Sequence, residues 1–348
     1  MMKIDPKSLL SRRDFLKLAG YGTLGLLLPD LPLFASSPGA YLEDQQGRVT
    51  ENMLWSYSQP SFESERLKMH WRDIIVPITG TAVSEDQEAH NRIWYELGDD
   101  GFAYSGGIQP VRTILNEPLS SIPENGLLGE ISVPFTDAHE EADPTSKVTY
   151  RLYYETVHWI LESVTGPDGN IWYRLLEDKY QTFYYILAKH IRVIPKPELA
   201  PISPDVPLLE KKLEVHLGQQ LMLAFEKGNL VYASLVATGQ KLRAGKWDTP
   251  IGYFTTYYKR PTRHMAAGDI AASGFDLPGV PWVIYITRSG ISFHGTYWHN
   301  DYGRPRSHGC INLTPQAAKW LFRWTMPVVK LGKQYAYEFT GTPVEIME

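Results

Sequence analysis

The chain has 348 residues, 43% of them hydrophobic and 21% charged, with a formal net charge of -5 and one cysteine. That length accommodates roughly two or three domains with cores of their own, the negative balance gives no electrostatic ground for nucleic-acid binding, and a lone cysteine excludes an internal disulfide. With 28 glycines, 25 prolines and 12% aromatics, short strands joined by turns are favoured over helical bundles, so a mainly β fold is expected.

Residues 1–40 read as a targeting segment. Ser11-Arg12-Arg13-Asp14-Phe15-Leu16-Lys17 looks like a twin-arginine export signal and precedes an uncharged, modestly apolar run from Leu18 to Leu28, too short for a good membrane span. The alternative is an N-terminal amphipathic helix. Export by this route would engage the export machinery and deliver a folded protein to the cell envelope, periplasmic or wall-associated.

Residues 41–73 are polar with scattered aromatics and no clear period, and are expected to be a linker or leading arm. From Ile74 the texture turns to short β-branched and aromatic runs separated by Gly, Pro, Asp and Asn, the pattern of small antiparallel barrels. Asn91-Arg92-Ile93-Trp94-Tyr95-Glu96-Leu97 is echoed by Asn170-Ile171-Trp172-Tyr173-Arg174-Leu175. Each copy is expected to turn one aromatic inward and one outward, with a further strand following. Residues 74–194 thus read as one or two β modules that resemble bacterial SH3-like units, in which the tryptophans serve wall binding or simply fill the barrel core. Prolines 195, 197, 201, 204 and 207 mark residues 195–207 as an extended, stiff connector at a domain boundary.

Beyond it, Lys212 to Leu217 alternates as a strand, and Gln220–Phe225 with Leu230–Val236 form a hairpin around Glu226-Lys227-Gly228-Asn229. Strands are expected again at Tyr253–Tyr258, Trp282–Thr287 and Ile291–His294. The segment from Ala266 to Val280 is either a lid or an ordinary long loop. Thr314 as N-cap, Pro315 at the first helical position, and Ala317, Ala318, Leu321 and Trp324 at helical spacing predict a helix.

The chemistry concentrates just before that helix. A thiol becomes nucleophilic at neutral pH when an imidazole takes its proton and a third group fixes the imidazole's tautomer. Cys310 supplies the thiol. His294 ends an apolar strand before Gly295, so its ring can project from the sheet end while a carbonyl holds its other nitrogen. His308 is placed to shape the loop rather than to accept the proton, and the N–H groups of Gly309 and Cys310 could face a developing oxyanion. Two rivals stand beside this reading. His294, His299, His308 and Cys310 could bind zinc, although their spacings match none of the common paired patterns, and Cys310 could be an inert buried residue. His299 alone reads as a surface or cleft-rim residue.

His294-Gly295-Thr296, then Gly303-Arg304-Pro305, then Ser307-His308-Gly309-Cys310-Ile311-Asn312 resemble the signature of the YkuD-type L,D-transpeptidase domain. Thr249-Pro250-Ile251-Gly252-Tyr253-Phe254 is similar to that family's "TPxGxF" strand, and Arg263-His264-Met265 to the segment after it. The resemblance covers about residues 208–340 and implies a β-sandwich that acts on peptidoglycan stem peptides without a cofactor or metal. It implies Cys310 as acyl-accepting nucleophile, His294 as proton donor and acceptor, and His308 as orienting partner. Transfer to a neighbouring stem would make a direct cross-link; transfer to water would make a carboxypeptidase, and a domain that has lost activity would leave a wall-binding protein. Arg304, Ser307, Asn312, Trp282 and Tyr297 are the candidate substrate-binding residues, Tyr285 and Trp298 flanking them. Many members carry Arg where this chain has Asn312, which shifts the expected hold on a substrate carboxylate to Arg304 or Arg306.

Overall fold

The computed structural model describes residues 45–240, 249–268 and 274–348, all within one compact unit. The segment read as an export signal lies outside the described residues, as does the tip of the 266–280 segment.

Residues 46–111 build two small sheets. Gln46–Val49 pairs with Ile75–Pro77 on one side and Ile108–Val111 on the other; a five-stranded sheet runs in the order Arg66–Trp71, Met53–Tyr57, Phe102–Tyr104, Ile93–Glu96, Gly80–Val83. The stretch 41–73, expected as a linker or arm, therefore carries three strands. Its period is hidden because polar side chains occupy inward positions: Arg48, Ser56 and His70 are buried beside Val49, Leu54 and Tyr57, so the apolar/polar alternation that marks a half-buried strand is absent. Arg48 is accommodated by hydrogen bonds to Gln109 at 2.8 Å and Asp73 at 2.9 Å, as a buried cation requires.

Residues 127–193 form a seven-stranded sheet. Both echo segments are strands (Ile93–Glu96 and Ile171–Glu177), and each is followed by a strand, a three-residue 3-10 turn (Ser105–Gly107; Ala188–His190) and a short strand. Trp94 and Trp172 are buried, but Tyr173 is buried as well, against the expected alternation. The reason is local: its hydroxyl accepts the Leu119 N–H at 2.6 Å, so the chain before the sheet covers that face.

The proline connector lies along the helix. Arg323 donates to the Ala200 carbonyl at 2.8 Å, the Ile202 N–H donates to Arg323 at 3.0 Å, and Glu198 pairs with Lys319 and with Arg192 at 2.9 Å.

Strands of the remaining part are β1 (Lys211–His216), β2 (Leu221–Glu226), β3 (Asn229–Leu235), β4 (Gly252–Thr255), β5 (Tyr258–Ala267), β6 (Phe275–Tyr285), β7 (Ser292–Gly295), β8 (Ile311–Leu313), β9 (Ala336–Tyr337) and β10 (Pro343–Met347). They form two five-stranded sheets ordered β3-β2-β1-β10-β4 and β8-β7-β6-β5-β9. The β2–β3 hairpin turns at Lys227 and Gly228, both at positive φ, which the twist of a tight hairpin requires. Helix α1 (Pro315–Trp324) is capped by Thr314, whose hydroxyl accepts the Ala317 N–H at 3.1 Å. Ala317, Ala318, Leu321 and Trp324 face a core shared with Val215 and Met222 of one sheet and Trp282, Ile284 and Phe293 of the other. Among the described residues this is the one α-helix, in an otherwise β architecture. Strands β5 and β6 run well into the expected lid segment.

The same core includes Leu128, Val157 and Trp159 from the seven-stranded sheet, so that sheet and the C-terminal sheets share one apolar interior. Close approach is permitted by Gly279 in β6: it has φ +69, and a Cβ there would meet the His158 ring at 2.3 Å.

Candidate active site

Strands β7 and β8 are parallel neighbours that place His294 opposite Asn312, while Cys310 sits one residue before β8. The loop leading to Cys310 is fastened to the segment after β3. Arg306 and Ser307 donate their N–H groups to the Thr238 carbonyl at 2.9 and 3.0 Å, and the Gln240 N–H donates to Ser307 at 2.9 Å. Thr249 is a second fastening. Its hydroxyl accepts the Gly239 N–H at 2.8 Å and donates to the Gly309 carbonyl at 2.8 Å. Gln220, buried, holds Thr238 from behind through bonds of 2.7 and 2.8 Å. The "TPxGxF" motif gave Thr249 no role by itself, because its partners lie far off in sequence.

The Cys310 thiol lies 3.7 Å from the Ser292 hydroxyl and 3.8 Å from the Gly290 carbonyl, and its ionisation is coupled to His294. His294 is buried at 2% exposure; its Nδ1 donates to the Gly295 carbonyl at 3.1 Å, which leaves Nε2 for the thiol. Trp298 packs over the imidazole with ring centres 5.7 Å apart. Burial pushes the Cys310 thiol up, but the hydrogen bond and charge of His294, helped by Ser292, outweigh it and leave the thiol below its ordinary value. A thiol more acidic than usual beside an imidazole of fixed tautomer is equipped to attack an electrophilic carbonyl. Ser292 and Gly290 escaped the sequence reading; a small residue two before His294, on its strand, is the signal that was there.

The other candidates divide. Gly309 is at φ 122 and turns its N–H back into the loop, where Ser307 Oγ accepts it at 3.1 Å; it does not face the thiol's surroundings as an oxyanion donor. Ser307 is a loop-holding residue, its hydroxyl spanning the Gly309 N–H and the Cys310 carbonyl. His308 is exposed, its ring 6.1 Å from Phe275, and Ser307, Thr238 and Thr249 do the loop-holding expected of it.

Arg304 and Arg306 both bind the buried Asp301, at 2.6 and 2.7 Å, and Arg304, with 47% of its side chain exposed, keeps donors toward solvent. Asp301 also accepts from Tyr104 at 2.7 Å and pairs with His90 at 2.8 Å. Burial raises its pKa, but His90, Tyr104 and the two arginines outweigh that and bring it to about 2. Asn312 is buried at 1% exposure with its amide 3.0 Å from His299 Nε2. His299 is buried too, not on a cleft rim, and its Nδ1 accepts the Asp301 N–H at 3.1 Å. The neutral ring therefore carries its proton on Nε2, which faces Asn312 Nδ2 while Asn312 Oδ1 is buried without a partner, so turning the amide over would bring its oxygen to Nε2 and make the hydrogen bond. Burial, with Arg306 adding to it, pushes His299 down to about 3. Asn312 and His299 are a buried polar pair under the sheet rather than a substrate contact.

Trp282 is wholly buried against Phe322, 5.3 Å between ring centres, and is core rather than groove. Its φ of +60 is strained for a bulky residue, by roughly 1–2 kcal/mol. Tyr297 is buried at 3% exposure, stacked on Tyr153 at 5.3 Å, and borders a cavity described below. Among the described residues no group of three or more His, Cys, Asp or Glu side chains converges to hold a metal ion.

The chain is similar to several solved structures. Crystal structures of L,D-transpeptidases from Enterococcus faecium (24% identity, TM-score 0.31, 40% of this chain and 50% of that one) and Xylanimonas cellulosilytica (26%, 0.28, 39% and 60%) are among them. An L,D-transpeptidase from Mycobacterium smegmatis is another, at 17% identity and TM-score 0.33, covering 51% of this chain and 90% of that one. The chain thus spans between half and three-fifths of the first two structures. No curated protein matches it. Residues 210–346, which contain every element of the thiol site, match the family model of the L,D-transpeptidase catalytic domain, YkuD.

Proposed function

We propose that the protein is an L,D-transpeptidase of the cell envelope that cross-links peptidoglycan stem peptides through a thioester on Cys310. The observation that carries this reading is the Cys310–His294 pair, with Gly295 fixing the imidazole and the thiol's pKa held below its ordinary value. In the first step Cys310 Sγ attacks the carbonyl between the third stem residue and the terminal D-alanine, and the C–N bond breaks as His294 Nε2–H protonates the leaving amine. Because Ser307 occupies the Gly309 N–H, we assign the developing oxyanion to the Cys310 N–H. In the second step an amine of a neighbouring stem attacks the thioester, and His294 takes its proton as the thiolate leaves. Export by the twin-arginine route and one or two SH3-like modules in residues 74–194 belong to the same proposal, as does an orienting role for His308.

The test is product analysis with a purified disaccharide-tetrapeptide. The proposal expects equimolar D-alanine release with dimers linked between third residues, both absent in Cys310→Ala. Release without dimers would make the enzyme a carboxypeptidase. No release at all, with Cys310 inert to thiol labelling, would leave a wall-binding protein.

A further inference from the structure

A cavity of about 330 Å³ opens where three parts of the chain meet: Arg48, Thr50 and Arg72 from the first sheets, Thr149 to Tyr153 from the seven-stranded sheet, and Asp276, Leu277, Pro278, Tyr297 and Trp298 from the C-terminal part. Three arginines and one carboxylate, Asp276, line it. Arg48 and Arg151 share Asp73, at 2.9 and 3.3 Å, and Arg151 also holds Asp137 at 2.9 Å. Asp276 is taken up by His264. The guanidinium of Arg72, on an exposed residue, makes no ion pair or hydrogen bond to a described residue. Aromatic faces line the rest: Arg48 lies 4.1 Å over Tyr153, which stacks on Tyr297, whose ring is 5.0 Å from Trp298.

The cavity is connected to the thiol site by its wall. Trp298 borders the cavity and also packs on the imidazole of His294, and β6 touches both places, Phe275 lying beside His308 while the next three residues line the cavity. Trp298 is thus a wall shared by a ligand held here and the imidazole of His294. A free arginine beside aromatic walls suits a carboxylate carried on a short peptide.

We propose that this cavity binds a carboxylate of the acyl-acceptor peptide, so that the acceptor amine reaches the Cys310 thioester from the His294 side; the proposal rests on the reading of Cys310 as an acyl-transfer nucleophile. The amine nitrogen forms the new C–N bond, the C–S bond breaks, the amine proton passes to His294 Nε2, and the thiolate is restored. Arg48, Arg72, Tyr150, Arg151 and Tyr153 lie outside the 210–346 domain, so acceptor selection would belong to the modules joined to it.

The experiment uses the full chain and two acceptor peptides that differ only in a free carboxylate or its carboxamide, with wild type, Arg72→Ala and Arg72→Glu. Rates of transfer are referred to the rate of thioester formation in each protein. The expected result is transfer at least roughly tenfold faster to the carboxylate acceptor in wild type, with that preference abolished in Arg72→Ala and reversed in Arg72→Glu. Equal transfer to both acceptors in wild type, or a preference unchanged by either substitution, would overturn the proposal. If no thioester forms with any stem peptide, the enzymatic reading has failed by itself. Equilibrium binding of the two peptides to Cys310→Ala then decides the cavity: roughly tenfold tighter binding of the carboxylate form, lost in Arg72→Ala, supports it, and equal affinity overturns it.

Discussion

A partly buried thiol ordinarily ionises later than one in water, and Cys310 does the reverse because its strongest partner is an imidazole. The thiolate is favoured only while His294 can hydrogen-bond and balance it, and His294 is aimed by the Gly295 carbonyl. Two opposed effects therefore act on one atom, and removing His294 leaves burial opposed only by the weaker contacts of Ser292. The pH profile of Cys310 alkylation should have a lower midpoint in wild type than in His294→Ala; identical profiles would show that the imidazole does not set the thiol's acidity. Trp282 makes a contrasting case. It lies close in sequence to the site, yet it fills core against Phe322, so Trp282→Ala should cost about 3–5 kcal/mol in urea unfolding. A change confined to KM, at unaltered stability, would return it to the substrate groove.

At the scale of elements, the nucleophile loop owes its shape to Thr249, a residue on no strand. With both its hydrogen bonds buried, Thr249→Val strands the Gly239 N–H and the Gly309 carbonyl, and about 1–3 kcal/mol per unsatisfied group is expected; Thr249→Ser, keeping the hydroxyl, should recover most of the loss in kcat and in thermal midpoint. If valine and serine behave alike, the loop is held by Thr238 and Ser307 alone. Much of the framework was legible in the sequence: Thr314 and Pro315 announce α1, Lys227-Gly228 announces the β2–β3 turn, and the apolar run before His294 announces β7, whereas β8 and its parallel pairing with β7 were not read. What was not legible depends on distant partners. Arg48 and His70 sit inward on strands, so residues 46–71 lack alternation. Arg304 and Arg306 read as free cations until Asp301 is seen between them. Asn312 reads as a substrate contact in a motif, but the fold turns it under the sheet onto His299.

At the scale of the whole molecule, the C-terminal sheets are joined to the earlier ones by buried polar groups as well as by apolar packing. Asp301 collects His90 and Tyr104 from one side and Arg304 and Arg306 from the other. Asp301→Ala leaves those cations facing one another without their anion, and a loss of about 3–5 kcal/mol is expected; a loss under about 1 kcal/mol would mean that the network carries no coupling. Acid should weaken the same structure. Burial brings both His158 and His299 to about 3, whereas in the unfolded chain they titrate near 6.5. The unfolded state thus binds more protons between those values, so stability is highest above pH 6.5 and falls as pH drops toward 3, by at most about 1.4 kcal/mol per unit for each histidine. Unfolding midpoints that stay level from pH 7 to 4.5 would contradict that burial. In the proposed function the assembled molecule presents Cys310 as an acyl carrier. Intact-mass spectrometry of the full chain mixed with a tetrapeptide stem tests it most directly. A transient adduct equal to the stem less D-alanine is expected on Cys310, slowed in His294→Ala and absent in Cys310→Ala; D-alanine release without any adduct, or an adduct that persists in Cys310→Ala, would contradict that role.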